Sequence, residues 1–167
     1  MLELQNICYR VSTPEGELDI LRDISITIPD QRLMVFTGPN GGGKTTLTRL
    51  LNALAPSYYA GTLTGTISIN GKSLTQMPQY TVARQIGSVF QDPKSQFFSS
   101  ELAGETAFAC ENYGFSAEEI RDRTDDAIVS FDLNGFRSRN LDVLSSGEKQ
   151  RVAIASVYAL RPDFYVC

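Results

Sequence analysis

Apolar and polar residues alternate along the N-terminal segment from Leu2 to Ile28, as at Ile24 and Ile26. A period of two is typical of strands with one buried face, and the turn sequence Pro14-Glu15-Gly16 interrupts the segment. The pattern returns at Thr66–Ile69 and ends at Asn70-Gly71, a strong hairpin signal. We therefore expect an antiparallel sheet in this part of the chain.

A different pattern lies between those alternating segments. Leu33–Phe36 is continuously apolar, as a parallel strand covered on both faces should be. A glycine-rich loop and a helix-like stretch, Thr46–Leu51, follow it directly, and after Pro78 a short helix leads to a second core strand at 86–90. This order of strand, loop and helix predicts a unit of α/β type.

Beyond Gln91 the apolar spacing becomes helical. One helix is predicted from Leu102 to Tyr113, with Glu105 in its first turn, and a second from a capping box at Ser116 to Phe131. A third, from Ser146 to Ala159, is apolar almost all round, which predicts burial, and an apolar strand begins at Phe164. The pattern indicates a small helical lobe inserted before a buried helix.

Charge and composition narrow the class of protein. The chain has 15 Lys and Arg against 19 Asp and Glu, so no large basic face is implied and a nucleic-acid partner is not favoured. No apolar run reaches the length that spans a bilayer, and the N-terminus lacks the order of a secretion signal. The 3 cysteines have no metal-type spacing. We expect a cytoplasmic protein with reduced thiols.

The most informative motif is the glycine-rich loop, which fits the pattern G-x-x-x-x-G-K-[ST]. Its glycines let backbone N–H groups converge on phosphate oxygens at a helix N-terminus. Lys44 would reach the β- and γ-phosphates, and the Thr45 hydroxyl would hold Mg²⁺. The nucleotide-binding residues are predicted to be Gly38, Asn40, Gly41, Gly42, Gly43, Lys44, Thr45 and Thr46. We call Gly38–Thr45 the phosphate loop.

A second segment with small residues, Leu144–Arg151, opens the third helix. Its free N–H groups lie at a positive helix end that can face an anion. The alternative is ordinary capping, because Ser145 and Glu148 have the S-x-x-E spacing of a capping box. The two interpretations are compatible.

Taken with the phosphate loop, this segment resembles the signature, usually L-S-G-G-Q, of the nucleotide-binding subunits of ATP-binding-cassette (ABC) transporters. Ser146 replaces the first signature glycine and Glu148 the glutamine. Val89–Pro93 is similar to the family's Q-loop, which implies that Gln91 contacts Mg²⁺ or the attacking water and relays nucleotide state to the membrane partner. Without the family, Asp92-Pro93 is only a turn and Gln91 a surface amide.

The resemblance implies an α/β P-loop NTPase fold, with a RecA-like core, an N-terminal antiparallel β subdomain and an inserted helical lobe. Residues 1–90 would form the β subdomain and phosphate-loop core, and residues 91–145 the Q-loop and helical lobe. Residues 146–167 would form the signature helix and the start of the Walker B strand. All would belong to one truncated nucleotide-binding domain.

The stretch Gln91–Phe98, with Glu105–Phe108 and Glu111-Asn112, is similar to the ATPases of energy-coupling-factor importers for vitamins and transition-metal ions. This implies an ATP-binding subunit of an importer, with ATP and Mg²⁺ as cofactors. Its implied partners are a second ATPase subunit or cassette and a transmembrane component contacted through the helical lobe. The resemblance also implies that the subunit is cytoplasmic and peripheral, on the inner face of the cell membrane.

In that family two subunits clamp two ATP molecules. The resemblance implies catalytic roles for Lys44 and Gln91, and metal contacts for Thr45 and Gln91. The signature would complete the opposite site in trans through Ser145, Ser146, Gly147 and Glu148.

The adenine contact departs from the family pattern. The family stacks an aromatic side chain on the base, but Val11 occupies that position, with Tyr9 two residues earlier. The alternative for Tyr9, packing on a sheet face, is favoured because strands accept tyrosine readily.

The family's later catalytic groups, an Asp, a Glu and a His, are not found, and the chain contains 0 His. We therefore expect a fragment of a longer ATPase that binds nucleotide without efficient hydrolysis. A soluble ABC-type ATPase of DNA repair or translation is the alternative. It is disfavoured because the chain lacks heptad coiled coils and basic linkers.

Overall fold

Two units, Met1–Ile86 and Gly87–Cys167, make up the chain in the computed structural model, which describes residues 1–167. The boundary between the two units lies between Ile86 and Gly87. The phosphate loop belongs to the first unit, and the Q-loop and signature belong to the second.

The first unit contains a four-stranded sheet in the order β2-β1-β3-β4. Its strands are β1 (Leu2–Thr13), β2 (Gly16–Ile28), β3 (Thr62–Ile69) and β4 (Lys72–Ser73), and every neighbouring pair is antiparallel. Leu2 pairs with Ile28 on one side and with Ile69 on the other, and the side chains of all three are buried. The antiparallel sheet predicted from the alternating pattern is confirmed.

Glycine is required at one irregular position of this sheet. The pairing of β1 with β3 shifts register between Gln5 and Cys8, opposite Gly65, whose φ is +88°. A Cβ at Gly65 would collide with the backbone oxygens of Gln5 and Asn6. The shift therefore depends on a residue without a side chain.

The prediction of a buried parallel strand at Leu33–Phe36 is wrong. No strand forms there, and Leu33 is 92% and Val35 68% exposed. A core strand needs hydrogen-bonded neighbours and covering layers, and these depend on distant parts of the chain as much as on apolar side chains. An apolar run alone does not show whether such neighbours and layers are present.

Two helices complete the first unit, α1 (Lys44–Leu51) and α2 (Gln79–Gln85). Leu47 and Leu50 of α1 are buried, as is Val82 of α2. Burial of this face fixes the start of α1, and so positions the end of the phosphate loop.

The second unit is mainly helical. Its helices are α3 (Leu102–Asn112), α4 (Ala117–Ser130) and α5 (Ser146–Ala159), and strand β5 (Ile86–Ser88), which begins at the unit boundary, forms a two-stranded sheet with β6 (Phe164–Val166). All three helices were predicted within a residue or two, and Gly114, with φ +69°, follows α3 as expected. Their common core contains Leu102, Cys110, Ala127, Ile128, Leu133, Leu141, Leu144, Val152, Ala155 and Ala159.

Candidate functional site

The phosphate loop has the backbone that an anion site requires. Gly41 and Gly43 adopt left-handed φ values of 78° and 83°, and the N–H of Gly42 donates to the Pro39 carbonyl at 3.2 Å. Gly43 is the N-cap of α1, and no side chain caps that helix. The first N–H groups of a helix have no partner within it, so an uncapped, exposed start can receive phosphate oxygens.

Lys44 brings a positive charge to this loop. Its Nζ donates to the carbonyl oxygens of Gly38 and Pro39, both at 2.8 Å. The ammonium group is therefore held against the backbone that would surround the phosphates. Of the other predicted binding residues, Asn40 and Thr45 are exposed and Thr46 is half-buried.

Gly43 also lies against a neighbouring strand. A Cβ there would be 2.8 Å from Cδ2 of Leu21 and 3.1 Å from the carbonyl oxygen of Ile20. Close packing and left-handed backbone thus both favour glycine at the junction of loop and helix.

Tyr9 is a packing residue. It is 2% exposed, its hydroxyl donates to the Tyr59 carbonyl at 2.7 Å, and burial raises its pKa. A ring so enclosed has no face for an adenine base. The structure supports the alternative in which Tyr9 packs on the sheet.

Ser145 and Glu148 form the predicted capping box at the start of α5. The Glu148 carboxylate accepts from the backbone N–H of Ser145 at 2.7 Å and from its hydroxyl at 2.6 Å, and the N–H of Glu148 donates to Ser145 Oγ at 3.3 Å. The side-chain and backbone hydrogen bonds from Ser145 lower the pKa of Glu148. Ser146 and Gly147 stay exposed beside this cap.

The Q-loop begins where the two-stranded sheet ends. The N–H of Val89 donates to the Val166 carbonyl at 2.8 Å, and Gln91 follows as an exposed side chain. Asp92 then accepts from the N–H of Lys94 at 3.1 Å, which confirms the turn predicted at Asp92-Pro93. Gln91 is thus a surface side chain at the end of a core strand.

Three buried or bridging side chains around these motifs were not identified from the sequence. Glu105, placed by its spacing near the helix dipole, accepts from the N–H groups of Phe98 and Ser99, both at 2.8 Å. Lys149 donates to a backbone carbonyl, and Gln96 bonds to both the Q-loop and α5. Bonds from a side chain to a backbone N–H or carbonyl outside regular caps follow no fixed sequence spacing, so the sequence does not reveal them.

The side chains of this chain fit a Mg²⁺ ion that is bound mainly by the phosphates of a nucleotide. No group of three or more His, Cys, Asp and Glu side chains that could hold a metal ion occurs in the described chain. Mg²⁺ is commonly held by substrate phosphates with few protein ligands, and the exposed Thr45 hydroxyl at the start of α1 fits that arrangement.

The sequence profile described as "ABC transporter" matches residues 21–167. The chain belongs to the ABC transporter family. No helix in the structure combines the length and the apolar character that a membrane crossing requires.

Relatives within the ABC transporter family extend the match to nearly the whole chain. A putative ABC transporter ATP-binding protein of Treponema denticola is 38% identical over 160 residues, which are 96% of this chain and 32% of the relative. The energy-coupling factor transporter ATP-binding protein EcfA1 of Enterococcus faecalis is 37% identical over 166 residues, 99% of this chain and 57% of the relative. The chain thus spans about a third to a little over half of these relatives.

A solved ABC structure has the same fold. It is cbiO1 from Clostridium perfringens, described as part of the ABC transporter complex cbiONQ, with a TM-score of 0.83 and 27% identity. The match covers 98% of this chain and 63% of that one. The α/β P-loop NTPase fold of ABC cassettes, expected from the resemblance, is confirmed.

Proposed function

We propose that the protein containing this chain is the ATP-binding subunit of an ABC importer, which couples ATP binding and hydrolysis to transport across the membrane. The observation that carries the proposal is the uncapped start of α1, with Lys44 Nζ held 2.8 Å from two carbonyl oxygens of the phosphate loop. The names of EcfA1, an energy-coupling factor transporter ATP-binding protein, and of cbiO1, part of an ABC transporter complex, support a role in transport. The importer assignment rests on the resemblance of Gln91–Phe98 to the ATPases of energy-coupling-factor importers.

In this proposal the phosphate loop binds ATP in cis. The N–H groups of the loop and of the first turn of α1 surround the β- and γ-phosphates, and Lys44 stabilises the charge that develops on them during phosphoryl transfer. Thr45 and Gln91 are the proposed contacts of Mg²⁺, which when bound neutralises phosphate charge. The protein's contribution is positioning and charge stabilisation.

A second cassette, from another subunit or from the same chain, completes each site. The exposed N-terminus of α5 carries Ser145, Ser146 and Gly147, and its capping box holds Glu148 in place. Hydroxyl and N–H groups at a positive helix end suit the γ-phosphate of an ATP bound by the partner cassette.

The helical lobe is the proposed contact for the transmembrane component. It exposes Phe98, whose ring stacks on Phe108 with centroids 4.8 Å apart. An apolar pair of this kind suits an apolar helix of a membrane partner. The subunit would then lie peripherally on the inner face of the cell membrane.

The 167 residues by themselves are proposed to bind ATP without sustained turnover. The family uses an Asp, a Glu and a His to hold the metal and orient water, and these have no counterpart among the motifs of this chain. Loss of such groups removes most of the rate enhancement but leaves the binding loop.

The proposal is tested by phosphate release from the whole protein with Mg-ATP. Lys44→Ala is expected to lower turnover at least about a hundredfold, whereas Lys72→Ala, at an exposed lysine of β4, leaves it unchanged. Turnover that is insensitive to Lys44→Ala would overturn the proposal.

A further inference from the structure

We propose that Gln96 is a positioning residue that links the Q-loop to the signature helix α5. Its Oε1 accepts from the backbone N–H of Phe90 at 2.9 Å, immediately before Gln91. Its Nε2 donates to the carbonyl oxygen of Ala153, inside α5, at 3.1 Å. This role rests on the proposed function, because it matters only if Gln91 and the signature act on nucleotide.

The chemistry of the two partners fixes the orientation of the amide. Phe90 presents an N–H, which only the carbonyl oxygen of Gln96 can accept, and Ala153 presents a carbonyl, which only the NH₂ group can bond. Aspartate or glutamate would lack the donor, and lysine would lack the acceptor. A glutamine is therefore suited to bridge two backbone segments of opposite polarity.

The bond to Ala153 reaches a buried part of the second unit. Ala153 lies eight residues after Ser145, which corresponds to about 12 Å along a helix at the usual rise. Val152 and Ala155, on either side of it in α5, are buried. A displacement of the Ala153 carbonyl is thus transmitted along the helix to its signature end.

The segment that contains Gln96 also contacts the residues before the signature. The segment after Gln96 pairs with the residues that precede the signature, since Leu141 N–H donates to the Ser100 carbonyl at 2.8 Å and Glu101 pairs with Asn140. The segment from Phe90 to Glu101 is therefore bonded to α5 after the signature and to the residues that precede the signature. A change at Gln91 reaches the signature through these backbone hydrogen bonds and through the side chain of Gln96, whose Nε2 also lies 3.5 Å from Ser156 Oγ.

Hydrogen–deuterium exchange on the 167-residue chain tests this role, with and without Mg-ATP. Gln96→Met keeps the approximate volume and removes the bonds to Phe90 and Ala153, together with the longer contact to Ser156 Oγ. Gln96→Glu keeps the acceptor for Phe90 and removes the donor to Ala153. Gln79→Met is the matched control, because Gln79 donates to the Asn52 carbonyl at 2.9 Å in the first unit.

Without nucleotide, Gln96→Met is expected to speed exchange of the Phe90 amide and of the hydrogen-bonded amides of Glu148 and Lys149 about five- to tenfold. Gln96→Glu is expected to speed exchange only at the start of α5. Gln79→Met is expected to leave exchange unchanged at both places. Adding Mg-ATP should change amide exchange at the phosphate loop of both Gln96 variants as it does in the wild-type chain. At the signature, the change caused by Mg-ATP should be smaller in both variants by at least about four-fifths.

Unchanged exchange of the Glu148 and Lys149 amides in both Gln96 variants without nucleotide would overturn the role. So would a signature response to Mg-ATP equal to that of Gln79→Met. If the chain shows no response to Mg-ATP even at the phosphate loop, the proposed function fails, and the nucleotide-free comparison still decides whether Gln96 links the two segments.

Discussion

The ammonium group of Lys149 donates a hydrogen bond to the backbone carbonyl of Asp142 at 3.0 Å, although Lys149 is only 8% exposed. The N–H of Lys149 also donates to the Ser145 carbonyl at 2.9 Å. One residue of α5 thereby holds the segment that leads into the signature at two points. We therefore expect this buried lysine to help position Ser146 and Gly147.

Lys149→Met keeps much of the apolar stem and removes the charged donor. We expect a local loss of about 1–2 kcal/mol in the segment 142–146, because a partly buried carbonyl loses its partner. Amide exchange of that segment measures the loss, with Lys72→Met as the exposed control. Equal exchange in both variants would show that the bond does not hold the segment.

Glu105→Gln tests the carboxylate that accepts from Phe98 and Ser99. Glu105 is 3% exposed, and its neutral amide would place an NH₂ group in a site built around an anion. We expect a cost of about 1–3 kcal/mol, measured by urea unfolding and by exchange of the two amides. Glu111→Gln, at an exposed position of the same helix, should cost nothing measurable.

The capping box at the signature should depend on pH. Hydrogen bonds from Ser145 lower the pKa of Glu148 below its ordinary value of 4.5. The stabilisation by the charged carboxylate is therefore present above that value, and it is lost as pH falls through the lower pKa of the folded state. An NMR titration of the Glu148 carboxyl should show the lowered midpoint, and Ser145→Ala should raise it. A midpoint unaffected by Ser145→Ala would contradict the assigned cause.

Gly43→Ala should disturb the phosphate loop, since the backbone there has φ +83° and the new Cβ would lie 2.8 Å from Leu21 Cδ2. We expect a cost of about 1–2 kcal/mol and weaker ATP binding. Gly135→Ala adds its Cβ in open space at a residue without a left-handed φ, and it should change neither quantity. Thermal unfolding and nucleotide titration of both variants make the comparison.

Local patterns in the sequence predicted most of the fold. The hairpin at Asn70-Gly71, the capping box of Ser145 and the extent of α5 all depend on residues close together in the chain, so spacing alone revealed them. Leu33–Phe36 shows the limit. Its apolar character was read as burial, but whether a strand forms depends on partners that only the tertiary structure supplies.

In the candidate site, too, contiguous motifs could be predicted from the sequence and contacts with backbone groups could not. The phosphate loop is a contiguous motif of eight neighbouring residues, so a role for each can be predicted from the sequence, and these roles stay predictions. The contacts of Gln96 and Lys149 with backbone groups were not, because a carbonyl or N–H carries no sequence identity. Sequence reasoning predicts which groups contact nucleotide, and it missed the side chains that bond to the backbone near them.

The most direct test of the central claim is calorimetric titration of the 167-residue chain with Mg-ATP. The wild-type chain should bind one ATP saturably, Lys72→Ala should bind it equally well, and Lys44→Ala should weaken binding about ten- to a hundredfold. Absence of saturable binding to the folded wild-type chain, or equal affinity in the Lys44→Ala chain, would contradict the assignment of residues 38–46 as an ATP site.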